Sequence, residues 1–246
     1  MLERNVAEGI HRISEGYVNW YLLEEGQAVT VVDAGHPRSW STLGDALRAI
    51  GRRPSDVAAV VLTHAHFDHV GFAERARREL GVPVLVHEAD VPLAHHPWRY
   101  HHERPRAPYG VRHPTFLRVL ASMTAAGALG VDGVEEPTPY RDGTLDVPGR
   151  PRVVFTPGHT DGHCALDLPD RGVCITGDAL VTYDPYTNRS GPRIVARAAT
   201  ADSARARESL GAIAATGAGT LLPGHGAPFV GDAATAVAEA RAAPVG

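Results

Sequence analysis

The chain has 246 residues, of which 43% are hydrophobic and 21% are charged, enough to build the core of one large α/β domain. Its formal net charge of −4 argues against a nucleic-acid-binding surface, and no apolar run approaches the length of a membrane span. Residues 1–6 lack the pattern of a signal peptide, so we expect a cytoplasmic protein. From its charge and its short apolar runs we expect neither nucleic-acid nor membrane partners.

Hydrophobic periodicity and turn residues divide the chain into strands and helices. In chain order the predicted elements begin with a β-meander over 1–35, whose strands are 10–13, 20–23 and 29–35. They continue with a helix over 41–50, a strand over 58–62, a helix over 71–80, a strand over 82–86, a helix over 115–129, strands over 152–155, 164–168 and 172–175, a helix over 201–215, a strand over 220–222 and a helix over 232–243. No linker rich in glycine, proline and serine separates two parts, so we expect a single domain over residues 1–246. Cys164 and Cys174 are expected to be free thiols, because a turn at 169–172 would set Cys174 opposite Asp167.

Residues 88–143 interrupt the alternation of strands and helices and are predicted to be an insertion. They include four histidines in an aromatic and basic stretch, His95, His96, His101 and His102, ahead of the apolar helix. Long ordered loops commonly carry function, so we expect this segment to form a lid that contacts a small-molecule substrate, or the face of a homodimer. Metal binding by these histidines is disfavoured, because Glu103 is the only carboxylate at ligand spacing.

Residues 63–69 place three imidazoles and one carboxylate directly after a predicted buried strand. If the backbone stays extended, His64 and His66 point to one side, while Asp68 and His69 follow at the start of a helix and point elsewhere. These side chains are not packing residues of the hydrophobic core, because burying each one without a partner would cost several kcal/mol. Nitrogen and carboxylate donors without a thiolate are typical of a zinc site, with iron and manganese as alternatives.

Several other strands end in the same way, with an apolar run, a tight turn of threonine, proline or glycine, and then a polar residue. The residues that follow these strands are Asp33, His159, Asp178 and His225. Because sites in open α/β sheets gather outside the carboxyl ends of strands, we expect one shared site. Its donors are His64, His66, Asp68, His69, His159, Asp178 and His225. Seven donors are too many for one catalytic zinc ion and indicate two ions about 3.5–4 Å apart.

With these motifs the sequence resembles the metallo-β-lactamase superfamily, whose signature is His-x-His-x-Asp-His followed by separate histidine, aspartate and histidine motifs. The resemblance spans roughly residues 10–230 and implies an α/β fold, the four-layer αβ/βα sandwich, with the metals at one edge. It also implies the ligands: His64, His66 and His159 for a first metal ion, Asp68, His69 and His225 for a second, and Asp178 as a bridge. Asp33 would orient a ligand imidazole, the alternative being a turn residue at the strand end.

The implied activity is hydrolysis of an ester, thioester or lactone bond, with a hydroxide bridging two Zn²⁺ ions as the nucleophile. Asp68 would carry the proton toward the leaving group, and Tyr183 and Tyr186 would bind the substrate carbonyl or line the pocket. Asp178 favours the glyoxalase II-like and lactonase-like branch over the β-lactamases, which have cysteine or a non-ligand there. His163 is expected to have a structural role.

Three other functions remain open. A persulfide dioxygenase-like enzyme would use a single iron, held by His64, His159 and Asp178. A nuclease would need a basic groove or a nucleic-acid-binding domain, and the sequence shows neither. A metal-binding module without catalysis has no need of so many donors at one sheet edge.

Overall fold

Two β-sheets lie face to face in the computed structural model, which describes all residues from Met1 to Gly246. The strands are β1 (Leu2–Ala7), β2 (Ile10–Glu15), β3 (Val18–Glu25), β4 (Ala28–Val32), β5 (Val57–Val61), β6 (Val84–His87), β7 (Thr138–Tyr140), β8 (Gly143–Thr144), β9 (Arg152–Phe155), β10 (Cys164–Leu168), β11 (Val173–Gly177), β12 (Val181–Asp184), β13 (Arg189–Arg193), β14 (Thr220–Pro223) and β15 (Phe229–Val230). The helices are α1 (Ser39–Ala49), α2 (Phe67–Val70), α3 (Ala73–Leu80), α4 (Val91–His95), α5 (Ala107–Arg112), α6 (Thr115–Ala125), α7 (Ser203–Ala214) and α8 (Ala233–Ala242).

The first sheet has seven strands in the order β1 to β7. Strands β1 to β4 form an antiparallel meander, and β4 to β7 pair in parallel. Alternation along β3 sends Trp20 and Leu22 to one face, where they share a core with α1 and α3. Tyr21 and Leu23 point the other way and pack in the core between the two sheets.

The second sheet has six strands in the order β15-β14-β11-β10-β9-β8. Leu166 and Ile175 face the first sheet, while Cys174 and Leu221 pack against α7 and α8 on the outside. The layers are therefore helices, sheet, sheet and helices, which confirms the expected four-layer αβ/βα sandwich.

The carboxyl ends of the relevant strands meet at one edge of the sandwich. In the first sheet β4 and β5 are parallel, and in the second β9, β11 and β14 run in one direction, since β10 is antiparallel to both β9 and β11. Asn19 ties the two sheets together at this edge: its side-chain amide donates to Pro223 O at 2.8 Å and to Gly226 O at 2.7 Å. The loop that carries His225 is thereby fixed against the first sheet.

The segment predicted as an insertion contains α4, α5 and α6, which form a fourth apolar core with Phe67 and Tyr186. Its predicted range extends too far, however. Strand β7 lies within residues 88–143 but pairs with β6 as the edge of the first sheet, and the buried Tyr140 hydroxyl donates to Leu62 O at 2.9 Å. The predicted helix over 115–129 ends at Ala125.

Cys164 and Cys174 are buried free thiols, and the register of β10 with β11 pairs Cys174 with Asp167, as predicted. No helix in the structure combines the length and the apolar character that crossing a lipid bilayer requires.

Candidate metal centre

The loop after β5 carries four of the predicted donors into the interior. The backbone is extended at His66, with φ −70° and ψ 154°, and α2 begins at the next residue. His64 and His66 therefore leave the extended part, whereas Asp68 and His69 leave the first turn of a helix. All four side chains are buried.

The seven predicted donors come together in three overlapping groups, in each of which the ligand atoms lie within 4.8 Å of one another. The groups are His64, His66 and His159; Asp68, His69 and His225; and His64, His69 and Asp178. The histidines at 95, 96, 101 and 102 belong to none of them.

Asp178 lies between the other donors. Its Oδ2 is 3.1 Å from His225 Nε2, 3.4 Å from His159 Nε2 and 4.0 Å from His64 Nε2. Its Oδ1 is 3.6 Å from His69 Nε2. This carboxylate therefore faces imidazoles of the two groups that do not include Asp178, namely His64, His66 and His159, and Asp68, His69 and His225.

The burial and the spacing of the donor atoms fit a metal site. Four of them are buried and have no hydrogen-bond partner: Nε2 of His64, His66 and His69, and Oδ1 of Asp178. Each such atom costs about 1–3 kcal/mol unless something else satisfies it. Two ligands of a tetrahedral zinc ion, each about 2.0–2.2 Å from it, lie about 3.3–3.6 Å apart. The separations around Asp178, 3.1 to 4.0 Å, bracket this value. The residues therefore fit two divalent cations with nitrogen and oxygen ligands.

Hydrogen bonds on the far side of the rings aim the donor atoms. The Asp33 carboxylate accepts from Thr63 N–H at 2.8 Å and lies 2.9 Å from His69 Nδ1. His225 Nδ1 donates to Tyr17 O at 2.7 Å. In both histidines Nδ1 is held and Nε2 is left facing Asp178. The structure thus sets Asp33 against an imidazole, the position expected of an orienting residue.

The charges within the cluster are strongly coupled. Burial lowers the pKa of His159 to about 4. Burial would also lower the pKa of His69, but Asp178, Asp33 and Asp68 outweigh it and raise that pKa to about 10. Burial opposes ionisation of Asp178, yet the facing histidines, His225 foremost, hold its pKa well below the usual value. A cation that binds here therefore has to displace the proton of His69.

Two further buried residues hold the donor loops together. The Asp90 carboxylate accepts hydrogen bonds from Ala65 N–H at 3.1 Å, from the Thr160 hydroxyl at 2.7 Å and from Gly162 N–H at 2.7 Å. His163 accepts the Asp178 N–H at 2.9 Å through Nε2, in keeping with the structural role expected for it. Asp90 was not predicted as a site residue, although it lies three residues after the end of the apolar strand β6.

A cavity opens from the cluster toward the segment 88–143. His66, Asp68, Asp178 and His225 line its floor, and Tyr186 lines its wall. Tyr183, the other tyrosine predicted to contact the substrate, lies outside the cavity. It belongs to β12, where its ring stacks on Tyr17 with centroids 5.8 Å apart and its hydroxyl donates to Asn188 at 2.9 Å.

Sequence analysis also did not identify Tyr100 and Arg106 as cavity residues. The Tyr100 ring packs on His66 with centroids 4.0 Å apart, and the Arg106 guanidinium lies 4.4 Å from the centre of the Tyr100 ring. The aromatic and basic composition of the segment around 95–104 was their only signal, and it gave no individual positions.

The chain is similar to known proteins along most of its length. A family model described as the metallo-beta-lactamase superfamily matches residues 13–225, a range that includes all seven donors. The "probable metallo-hydrolase YflN" of Bacillus subtilis is 27% identical over 237 residues, which cover 92% of this chain and 86% of that protein. The N-acyl homoserine lactonase AttM of Rhizobium radiobacter is 27% identical over 186 residues, which cover 74% of this chain and 62% of that protein.

Among solved structures, the metallo-beta-lactamase family protein TTHA1429 from Thermus thermophilus superposes with a TM-score of 0.69 at 28% identity. The superposition covers 96% of this chain and 79% of that one.

Proposed function

Because the chain belongs to the metallo-β-lactamase superfamily, we propose that it is a dinuclear metal-dependent hydrolase that cleaves an ester, thioester or lactone bond. The observation that carries the proposal is the meeting of two three-donor groups at the Asp178 carboxylate. The similarity to a protein named a metallo-hydrolase, and to one named a lactonase, supports the same class of reaction.

In the proposed enzyme, the first ion would be held by His64, His66 and His159 and the second by Asp68, His69 and His225, with Asp178 available to both. Two such cations lower the pKa of water from near 16 to about 7 and thereby supply a nucleophile at neutral pH. Zinc is the metal that this donor set suits first, with iron and manganese as alternatives.

In the proposed enzyme, Tyr186 binds the substrate carbonyl. It lines the cavity beside the floor residues Asp68 and His225. Burial raises the pKa of Tyr186 to about 12, so its hydroxyl stays protonated at neutral pH and can donate a hydrogen bond. A donor in this position stabilises negative charge as it develops on the carbonyl oxygen.

In the proposed enzyme, Asp68 carries a proton. Its Oδ2 lies 3.6 Å from His225 Nε2, and the residue also lines the cavity. Its carboxylate can accept the proton released by the attacking water and pass it to the leaving group at the same side of the carbonyl. Asp68 is only 7% exposed, and this low access of water strengthens each of these electrostatic interactions.

The proposal is tested by metal analysis together with assays on phenyl acetate, an acetyl thioester and a γ-lactone. We expect two ions per chain and saturable hydrolysis of at least one substrate, abolished by a chelator and restored by metal. If the two-metal protein hydrolyses none of the three, or if it consumes oxygen with a persulfide while one iron is bound, the proposal is wrong.

A further inference from the structure

The cavity beside the metal centre is mostly apolar above its polar floor. Twelve of its nineteen lining residues are hydrophobic. Phe67, Phe116 and Met123 line its interior, and Trp98 stacks on Phe67 with centroids 3.9 Å apart. Pockets that are lined in this way bind apolar groups and use a few polar atoms to fix their orientation.

The apolar wall continues to the surface of the protein. Leu120 and Leu129 line the cavity, and yet 45% and 72% of their surface is exposed. Contiguous apolar side chains at a surface commonly mark a binding site. The mouth of this cavity therefore admits an apolar group from solvent.

The charges in the wall restrict which groups can bind. Outside the floor, Arg106 is the only charged residue that lines the cavity. Its Nε donates to Ala198 O at 3.4 Å and its guanidinium packs on the Tyr100 ring, without a carboxylate as ion-pair partner. A wall with one unpaired cation and no acid disfavours a positively charged ligand.

We infer that the cavity holds the acyl part of the substrate, and that this part is a long apolar chain or ring without positive charge. The inference depends on the proposed function for the placement of the carbonyl over the cavity floor, where His66, Asp68, Asp178 and His225 meet the apolar wall. The apolar lining of the cavity, which continues to the exposed Leu120 and Leu129, favours substrates with extended acyl groups over acetyl compounds.

The kinetic test uses p-nitrophenyl esters from acetate to octanoate, in which only the acyl chain changes. We expect kcat/KM to rise by up to about fourfold for each added methylene that is buried. Leu120→Glu, which puts a charge on the cavity wall, should remove most of this rise, so that kcat/KM falls far more for octanoate than for acetate. Leu117→Glu is the matched control, since Leu117 lies on the same helix, is 55% exposed and does not line the cavity.

A binding measurement separates this inference from the proposed function. Calorimetry of the metal-free protein with octanamide and butanamide should give a dissociation constant up to about 250-fold lower for octanamide, because four more methylenes are buried. Tight octanamide binding without hydrolysis of any ester would contradict the proposed function alone. Equal binding of the two amides, a flat kcat/KM series, or equal effects of the two leucine variants would overturn the inference.

Discussion

Tyr186 and Tyr183 are three residues apart and have different surroundings. Tyr186 lines the cavity, whereas the Tyr183 hydroxyl is engaged by Asn188. Tyr186→Phe should therefore lower kcat by about 100-fold, the typical effect of losing one donor to a developing oxyanion, with metal content unchanged. Steady-state kinetics and metal analysis measure both quantities. Tyr183→Phe is the control, and an equal loss of kcat in that variant would contradict the assigned role of Tyr186.

Asp90 is the residue that most directly joins the loops of His64–His66 and His159. Asp90→Ala leaves three buried donors without an acceptor, on Ala65, Thr160 and Gly162. At about 1–3 kcal/mol for each, the free energy of unfolding should fall by about 3 kcal/mol or more. Chemical denaturation of the metal-free protein measures this loss. Asp161→Ala, at an exposed neighbouring position, should change stability by less than about 0.5 kcal/mol.

Asp90 also makes stability depend on pH. Burial raises its pKa to about 6, against about 3.9 in the unfolded chain. The folded protein binds this proton more tightly than the unfolded chain does. Protonation of Asp90 therefore stabilises the folded state fully below about pH 4, and this stabilisation is lost as pH rises through about 6. Relative to Asp90→Asn, the metal-free wild type should therefore lose about 3 kcal/mol of stability between pH 4 and pH 7. A difference between the two proteins that stays constant or grows with pH would contradict this.

At the scale of secondary-structure elements, the turn after β14 works only with glycine. A Cβ at Gly224 would overlap Asp178 Oδ1 and lie 2.8 Å from His69 Cε1. Gly224→Ala should therefore displace Asp178 and reduce the metal content from two ions per chain toward one. Gly219 just precedes the same strand, and a Cβ there would meet no atom closer than 4.0 Å. Gly219→Ala should keep both ions, and full metal content in both variants would show that the turn tolerates a side chain.

The strands with the clearest patterns could be predicted to the residue. The bounds of β9 and β10 agree with those expected, because each is a short apolar run between turn residues. Strand β1 was not predicted, since Leu2–Ala7 contains three polar residues in succession and is ordered by its pairing with β2. The hairpin of β12 and β13 was missed for the same reason, because β13 reads Arg-Ser-Gly-Pro-Arg.

The cluster was more predictable than the cavity. All seven predicted donors meet at one edge, because ligand residues at strand ends are brought together by the direction of the strands alone. Tyr100 and Arg106 reach the cavity through the packing of α4 to α6, which no local pattern encodes. Tyr183 and Tyr186 could not be told apart, since only the path of the chain after β12 separates them.

At the scale of the whole molecule, the sandwich supplies a rigid edge and the segment 88–143 supplies the chamber above it. Helix α6 contributes Val119 and Met123 to the apolar core beside the cavity. Its other side exposes Leu117, and α5 exposes Val111 with 84% of its surface accessible. The homodimer expected from the apolar character of this segment stays a prediction.

The central claim is that separate strand ends of the two sheets assemble one dinuclear site around Asp178. The most direct test is the metal content and the hydrolytic activity of Asp178→Ala beside those of the wild type. We predict two ions per chain and hydrolysis in the wild type, and at most one tightly bound ion with hydrolysis reduced by at least about 100-fold in the variant. Two ions and undiminished hydrolysis in Asp178→Ala would contradict the account.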